Sequence, residues 1–175
     1  MKLVVLPVHV ADDQTTRKRF HTLHLASLDQ WPATLTGVAP RFGLLLACDA
    51  VRAAPGAVAD VAEKAIASGV GYVVAWGPGC EEVHDAFDEA YALRKLEQPD
   101  LSPIVTTWHA DDGLDEALWY FADVAQIPER DEPTDWLAVA VGCPAWDDHI
   151  RQRLAGLASL RSSVLTDQEE ADGLR

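Results

Sequence analysis

Two short stretches of this chain combine cysteine, histidine and acidic residues at spacings that could do chemistry. Residues 75–85 read AWGPGCEEVHD, and Cys80 and His84 are four residues apart on what the pattern predicts to be one face of a helix. Residues 106–112 read TTWHADD, with His109 at the predicted end of an apolar strand. We expect any functional site to lie around these three side chains.

The first chemistry that these residues would support is nucleophilic. Cys80 follows a glycine at the predicted start of a helix, where backbone N–H groups and the helix dipole favour a thiolate. His109 or His84 would act as the base, and Asp111, Asp49 or Asp85 would orient an imidazole. The reaction would be acyl transfer or hydrolysis, with the helix N–H groups as the oxyanion site.

Two further chemistries compete with the nucleophile. A metal site built from Cys80, His84 and His109, with Asp49 as a fourth ligand, would suit zinc, although the spacing is less specific than a CxxC pair or HExxH. A pocket walled by tryptophans could instead bind a small molecule at a helix start. Its residues would be Trp76, Gly77, Gly79, Trp108 and Asp111.

A purely structural interpretation stands beside these three. Cys80 and His84 share an apolar helical stripe with Val83 and Phe87, so a buried thiol beside a core histidine would give the same pattern. Cys48 and Cys143 are expected to pack as small hydrophobes. We expect Trp119, Trp136 and Trp146 to serve packing, and His21, His24 and His149 to lie on the surface.

The elements that must position these residues are strands and helices in alternation. Five mostly continuous apolar runs predict strands buried on both faces, at residues 2–10, 42–48, 71–76, 104–109 and 136–141. Apolar residues at helical spacing follow several of these runs and predict helices. One helix is predicted to end at Gly69, one to begin after Asp112 as its N-cap, and one to begin near Pro144. The prediction is an α/β three-layer sandwich with a five-stranded, mainly parallel sheet, flavodoxin-like or half-Rossmann in order.

The two ends of the chain are less regular. In residues 11–41, the spacing of Phe20, Leu23, Ser27 and Trp31 predicts a helix, whereas two prolines at positions 32 and 40 indicate a long irregular connection. The basic cluster at residues 17–19 is interpreted as a solvated helix face. Residues 1–161 are predicted to form a single domain, and residues 162–175 a polar, frayed tail.

Composition excludes several classes of function. The net charge of −14 repels phosphate backbones and anionic lipids, so we expect neither nucleic acid nor membrane as a partner. The chain lacks GxGxxG and GxxxxGK[ST], so nucleotide binding has no motif. Three dispersed cysteines and a short apolar start without a signal-peptide pattern predict free thiols and a cytoplasmic location.

The segments AWGPGCEEVHDAFDEAY and TTWHADDGLDEALWYF resemble a family of small bacterial proteins of unknown function in which Trp-Gly, Cys, His-Asp and Trp-His signatures recur. The resemblance covers residues 42–142. It implies a self-standing bacterial α/β domain and carries no activity. The function predicted from the residues is a small-molecule or hydrolase-type site around Cys80, His84, His109 and Asp49. The alternative is a non-catalytic acidic interaction or regulatory domain that binds a basic partner protein.

Overall fold

The computed structural model describes residues 6–130 and 134–173, and in them one sheet forms the middle of the molecule. Its strands are β1 Val8–Asp13, β2 Lys18–Leu25, β3 Phe42–Ala47, β4 Val70–Trp76, β5 Val105–His109 and β6 Thr134–Val141. The order across the sheet is β1-β2-β6-β3-β4-β5. β1 pairs with β2 antiparallel, and all the other neighbours are parallel.

Helices cover both faces of this sheet. They are α1 Ala57–Ala67, α2 Cys80–Glu97, α3 Leu114–Trp119, α4 Pro144–Ala155 and α5 Leu157–Gly173. α1 and α2 bury their apolar stripes on one face, against residues such as Leu44 and Val73. α3, α4 and α5 pack on the other face, against residues such as Leu45 and Val74. The predicted three-layer α/β architecture is therefore present, with a six-stranded sheet in the described residues where five strands were predicted.

The additional strand is β2, where a helix was predicted. Phe20 and Leu23 are three residues apart, which fits a helix, but residues 18–25 alternate between the two faces of the sheet. Phe20 joins the core under α4 and α5, and Leu23 and Leu25 join the core under α1. The prediction was wrong because a strand that is buried on both faces carries apolar residues at helical spacing as well. The start of the first predicted strand lies outside the described residues, and β1 begins at Val8.

The basic cluster at residues 17–19 is not a solvated helix face. Lys18 is 4% exposed, and its ammonium donates to the carbonyl oxygens of Phe121, Ala122 and Ala125 at 2.6–2.9 Å. Those carbonyls end the single π-helical turn after α3, so Lys18 satisfies groups that the helix leaves unpaired. Burial lowers the pKa of Lys18 to about 7, although nearby Asp123 and Asp13 oppose the shift.

Two of the histidines predicted on the surface lie on β2 instead. His21 is 8% exposed, and its Nε2 is 3.1 Å from the carboxylate of Asp135, which also accepts from Arg19. His24 is partly buried, and its Nε2 has no hydrogen-bond partner in the described residues. His149 is partly exposed and contacts Asp115.

Residues 162–173 of the predicted frayed tail lie in a helix. α5 continues to Gly173, and its Leu160 and Val164 are buried in the core under the sheet. The N-terminus of α3 also differs in detail, since Gly113 is the N-cap and Glu116 accepts from its backbone N–H. No helix in the described part of the chain has the length and apolar character needed to cross a bilayer.

Candidate functional site

The carboxyl ends of the parallel strands open into two neighbouring clefts. β3 and β6 are adjacent in the sheet, yet the helix after β3 lies on one face and the helix after β6 lies on the other. Diverging connections of this kind leave a crevice above the strand ends, which is where open α/β sheets bind ligands. One cleft lies at this point, and the second lies above β4 and β5.

The cleft at the ends of β3 and β6, named here the β3/β6 cleft, has a volume of about 460 Å³. It is lined by residues that follow β2, β3 and β6, mostly small or apolar, such as Ala53 and Val141. Its charged lining residues are Asp29, Asp49 and Arg52. The cleft is thus an apolar space with polar groups at a few points, which is the usual constitution of a small-molecule site.

Asp49, predicted as a catalytic residue, caps a short turn in this cleft. Its Oδ1 accepts from the backbone N–H of Arg52 at 3.1 Å, and its Oδ2 is 3.6 Å from Arg52 Nε. The carboxylate is therefore engaged by the 3₁₀ turn at residues 50–52. The structure does not bring it to the imidazole of His109, which lines the other cleft.

The cysteines of the β3/β6 cleft differ from each other. Cys48 is 1% exposed, and burial raises the pKa of its thiol to about 12, with Asp49 and Cys80 adding to the shift. Such a thiol is inert, as the packing interpretation expects. Cys143 is partly exposed, sits at the N-cap of α4 and lines the cleft.

The second cleft, named the β4/β5 cleft, has a volume of about 530 Å³ and contains most of the predicted site. Its lining includes Trp76, Cys80, His109, Asp112 and Trp146. Trp76 ends β4 and donates from Nε1 to the backbone carbonyl of Asp112 at 2.9 Å, which fixes the loop after β5.

The Gly-Pro-Gly turn of this cleft is required by close packing. Gly77 has a φ of +110°, and a Cβ on it would lie 2.3 Å from the carbonyl oxygen of Cys48. The backbone N–H of Ala50 donates to the carbonyl of Pro78 at 2.8 Å. Gly79 has a φ of +74°, and a Cβ on it would lie 3.1 Å from atoms of Ala50 and Val51. The glycines thus seat the start of α2 against the loop after β3.

His109 has the most specific polar environment in the β4/β5 cleft. It is 9% exposed, and its Nδ1 is 2.5 Å from Oδ2 of Asp112. Because a carboxylate can only accept, Nδ1 donates to Asp112, while Nε2 lies 3.3 Å from the hydroxyl of Thr107, which donates to the backbone carbonyl of Val73 at 3.2 Å. Tyr120 packs on the ring at a centroid distance of 4.6 Å. An imidazole oriented in this way by a carboxylate is the arrangement of a general base.

The orienting carboxylate belongs to Asp112, which the sequence reasoning treated only as a helix cap. Asp111, the predicted partner, is exposed and does not line the cleft. The spacing His109-x-x-Asp112 at a strand-to-helix turn is the signal that could have identified the pair.

The other predicted partners are separated by the sheet. His109 and Trp108 are consecutive in β5 and therefore point to opposite faces. His84 packs against Trp108, with ring centroids 4.4 Å apart, and its nitrogens face Asp85 and Asp88. In the described residues, no hydrogen bond joins the Cys80 thiol to His84 or His109, and Cys80 is 2% exposed.

The separation also bears on the zinc interpretation. His84 and His109 lie on opposite sides of β5, and Asp49 lines a different cleft. Among the described residues, no group of three His, Cys, Asp or Glu side chains has the arrangement that could hold a metal ion.

Trp146 is the functional candidate that sequence reasoning assigned to packing. It lies in the first turn of α4 and lines both clefts. Its ring meets Trp76 edge-on at a centroid distance of 5.2 Å. The two clefts are thus neighbours across one tryptophan. Its position could not be predicted from spacing, because it depends on β6 lying next to β3.

Comparison with known proteins gives a family and no activity. None of the curated proteins and none of the solved structures matches this chain. A family model does match, over residues 20–156, which include most of β2, all of β3 to β6 and the lining of both clefts. The chain therefore belongs to the family described as Domain of unknown function (DUF7684).

Proposed function

We propose that this protein binds a small organic molecule in the two clefts at the carboxyl ends of its strands, and that the ligand is neutral or positively charged. The observation that carries the proposal is that the side chain of Trp146 lines both clefts. One ligand can therefore contact groups at the ends of β3, β4, β5 and β6. The clefts together have the size of a site for a metabolite-sized molecule.

The charge of the ligand follows from the lining. The clefts carry four carboxylates, from Asp29, Asp49, Glu81 and Asp112, and one guanidinium, from Arg52. The whole chain has a net charge of −14. An anionic ligand would meet a repulsive field, whereas an ammonium group could lie on the faces of Trp76 or Trp146.

The binding experiment uses a panel of fragment-sized amines, neutral amides and carboxylates of matched size, titrated into ¹⁵N-labelled protein. We expect amines and amides to shift the indole N–H signals of Trp76 and Trp146. Trp146→Leu should abolish these shifts, while Trp108→Ala, which removes a tryptophan outside the clefts, should leave them unchanged. Equal binding of the carboxylates, or shifts confined to other tryptophans, would contradict the proposal.

Hydrolysis is a second candidate function, and one observation favours it. His109 is oriented by Asp112 and buried in the wall of a cleft, as a general base requires. Because no hydrogen bond links the described Cys80 to either histidine, the nucleophile we favour is water activated by His109. Cys80 then has a structural role, because its buried side chain packs in the core at the first residue of α2.

A test of hydrolysis uses p-nitrophenyl acetate as the substrate. We expect His109→Gln to lower the rate by about 100-fold or more, as removal of a general base does. His149→Gln is the matched control, since His149 also contacts a carboxylate but lies outside both clefts. Cys80→Ser separates the nucleophiles, because it leaves water attack intact and stops thiolate attack. Equal rates in the His109 and His149 variants would remove the hydrolase candidate.

The cellular setting is part of the same proposal. A cytoplasmic location is supported by the three free cysteines, which suit a reducing compartment. A bacterial origin is supported by the resemblance of the segments around Cys80 and His109 to small bacterial proteins.

A further inference from the structure

We propose that the outer edge of β5 docks an extended, basic segment of a partner protein. The proposal concerns a surface named here the β5 edge, made of Thr106 and Trp108 on the strand and His84, Asp85 and Asp88 on α2. It is separate from the clefts, because Trp108 faces α2 whereas His109 faces Tyr120 on the other side of the sheet.

The strand itself is open to pairing. In the described residues the sheet ends at β5, which has only β4 beside it. Its sequence, VTTWH, has no lysine, acidic residue or proline, which are the devices that usually protect an edge strand. The opposite edge, β1, carries a register irregularity between His9 and Ala11 and two aspartates. Of the two edges in the described residues, β1 therefore has charged residues and an irregularity that hinder pairing, and β5 has neither within its strand.

Trp108 is the anchor of this surface. Trp108 is 46% exposed, and a tryptophan exposed to this extent on a strand leaves a large apolar area in water. The ring of His84 packs against it at 64° and a centroid distance of 4.4 Å. The contact orders the indole ring before any partner arrives, which lowers the entropy cost of binding.

Carboxylates next to the tryptophan define the charge of the partner. The side chains of Asp85 and Asp88 are 75% and 55% exposed. Asp88 accepts from the hydroxyl of Thr106 at 2.5 Å, and Asp85 is 3.2 Å from His84 Nδ1, so both carboxylates are positioned beside β5. An arginine or lysine in this place would contact the indole face and a carboxylate together.

The partner is therefore an extended segment with alternating basic residues, which would add a strand to β5 by main-chain hydrogen bonds. A second copy of this chain is disfavoured as the occupant, because each copy has a net charge of −14 and would bring Asp85 and Asp88 against their equivalents. The β5 edge is thus the proposed binding position of the basic partner protein that composition predicts.

The test uses a fluorescein-labelled, end-capped peptide of alternating arginine and valine, with a glutamate-for-arginine peptide as its charge control. Binding to the full chain is followed by fluorescence anisotropy at low salt, and its position by ¹⁵N NMR. We expect the arginine peptide alone to bind, with the largest amide shifts in residues 105–109. Trp108→Ala should weaken binding at least tenfold, and the double variant Asp85→Asn, Asp88→Asn should weaken it and reduce its salt dependence.

Matched controls isolate the surface. Val51→Ala removes an exposed apolar side chain elsewhere, and Asp167→Asn removes an exposed carboxylate on α5, so both should leave binding within a factor of two. No binding of the arginine peptide, equal binding of the glutamate peptide, or amide shifts away from β5 would overturn the proposal. Self-association that depends on Trp108 would overturn it in favour of a second copy. Trp146→Leu, which disables the clefts, should not change peptide binding.

Discussion

The Nδ1 atom of His109 donates to the carboxylate of Asp112 across 2.5 Å, at the turn between β5 and α3. The pair is held from both sides, since Trp76 binds the backbone carbonyl of Asp112 and Tyr120 packs on the imidazole. These contacts hold the pair in the wall of the β4/β5 cleft.

We expect His109 to be in the Nδ1–H tautomer. The carboxylate of Asp112 can only accept, so of the two neutral tautomers it selects the one with the proton on Nδ1. Long-range ¹H–¹⁵N spectra of labelled protein distinguish the two tautomers directly. Asp112→Ala should produce a mixture of tautomers, whereas Asp111→Ala should change nothing. A neutral wild-type imidazole with its proton on Nε2 would show that the pair does not act as described.

Cysteine labelling should follow exposure. Cys143 is partly exposed, whereas Cys80 and Cys48 are 2% and 1% exposed and burial also raises the pKa of Cys48 to about 12. Iodoacetamide should therefore modify Cys143 about tenfold faster or more than the other two, as measured by mass spectrometry of peptides. Labelling of the unfolded protein in urea, where all three should react alike, is the control. Faster labelling of Cys80 at pH 6 would restore it as an activated nucleophile.

Gly77→Ala should destabilise the protein by about 2–4 kcal/mol, because the new Cβ adds a steric clash to an unfavourable backbone conformation. The Cβ would lie 2.3 Å from the backbone oxygen of Cys48, which cannot move without shifting the loop after β3. Gly56→Ala is the matched control, because its φ of +79° is also positive but nothing lies within 4 Å. It should cost only about 1 kcal/mol. Urea denaturation gives both values, and equal losses would contradict the packing explanation.

Acid should weaken the fold through Asp13. Burial alone would raise the pKa of this carboxyl, but hydrogen bonds from Arg161 and Thr16 outweigh burial and lower the pKa below its ordinary value of 3.8. The unfolded chain therefore binds more protons than the folded chain near this pH, and the stabilisation is present above about pH 4 and lost as the pH falls further. Denaturation midpoints in urea at pH 6 and pH 3 measure the loss.

Arg161→Gln tests the origin of that dependence. It removes the contacts of Arg161 Nη2 with Asp13 and Asp123, at 2.7 and 2.6 Å, and should cost about 2 kcal/mol at pH 6. The difference from the wild type should shrink at pH 3, which is below the ordinary pKa of 3.8 for Asp13, because protonation of this carboxyl in the unfolded chain then opposes folding to the ionised, hydrogen-bonded form. Arg52→Gln, at a side chain that is 88% exposed, should have little effect at either pH. A constant difference across the pH range would show that the ion pairs are not its cause.

Much of the fold was predictable because it rests on local patterns. The stripe from Cys80 to Phe87 predicted α2, and the continuous apolar run of residues 71–76 predicted β4. β2 was missed because a strand buried on both faces also carries helical spacing, here Phe20 and Leu23. The burial of Lys18 was not visible, because its carbonyl partners are more than a hundred residues away in the chain.

The site was predictable only in part for a related reason. Cys80 and His109 were expected to lie at one edge of the sheet, and the structure places both in the lining of the β4/β5 cleft. The strict alternation of a strand already implied that Trp108 and His109 face opposite ways, which separates His84 from His109. The role of Trp146 required the position of β6 beside β3, which no local pattern contains.

The insertion of β6 between β2 and β3 also dictates when the sheet can be completed. β2 has β1 on one side and β6 on the other, so during synthesis the hairpin of residues 8–25 has no place in the sheet until residues 134–141 have been made. An isolated two-stranded hairpin is at best marginally stable in water. Folding therefore closes on a contact between distant parts of the chain, and topologies of this kind fold slowly. β6 therefore has two roles: its carboxyl end lines the β3/β6 cleft, and its pairing connects the β1–β2 hairpin to β3, β4 and β5.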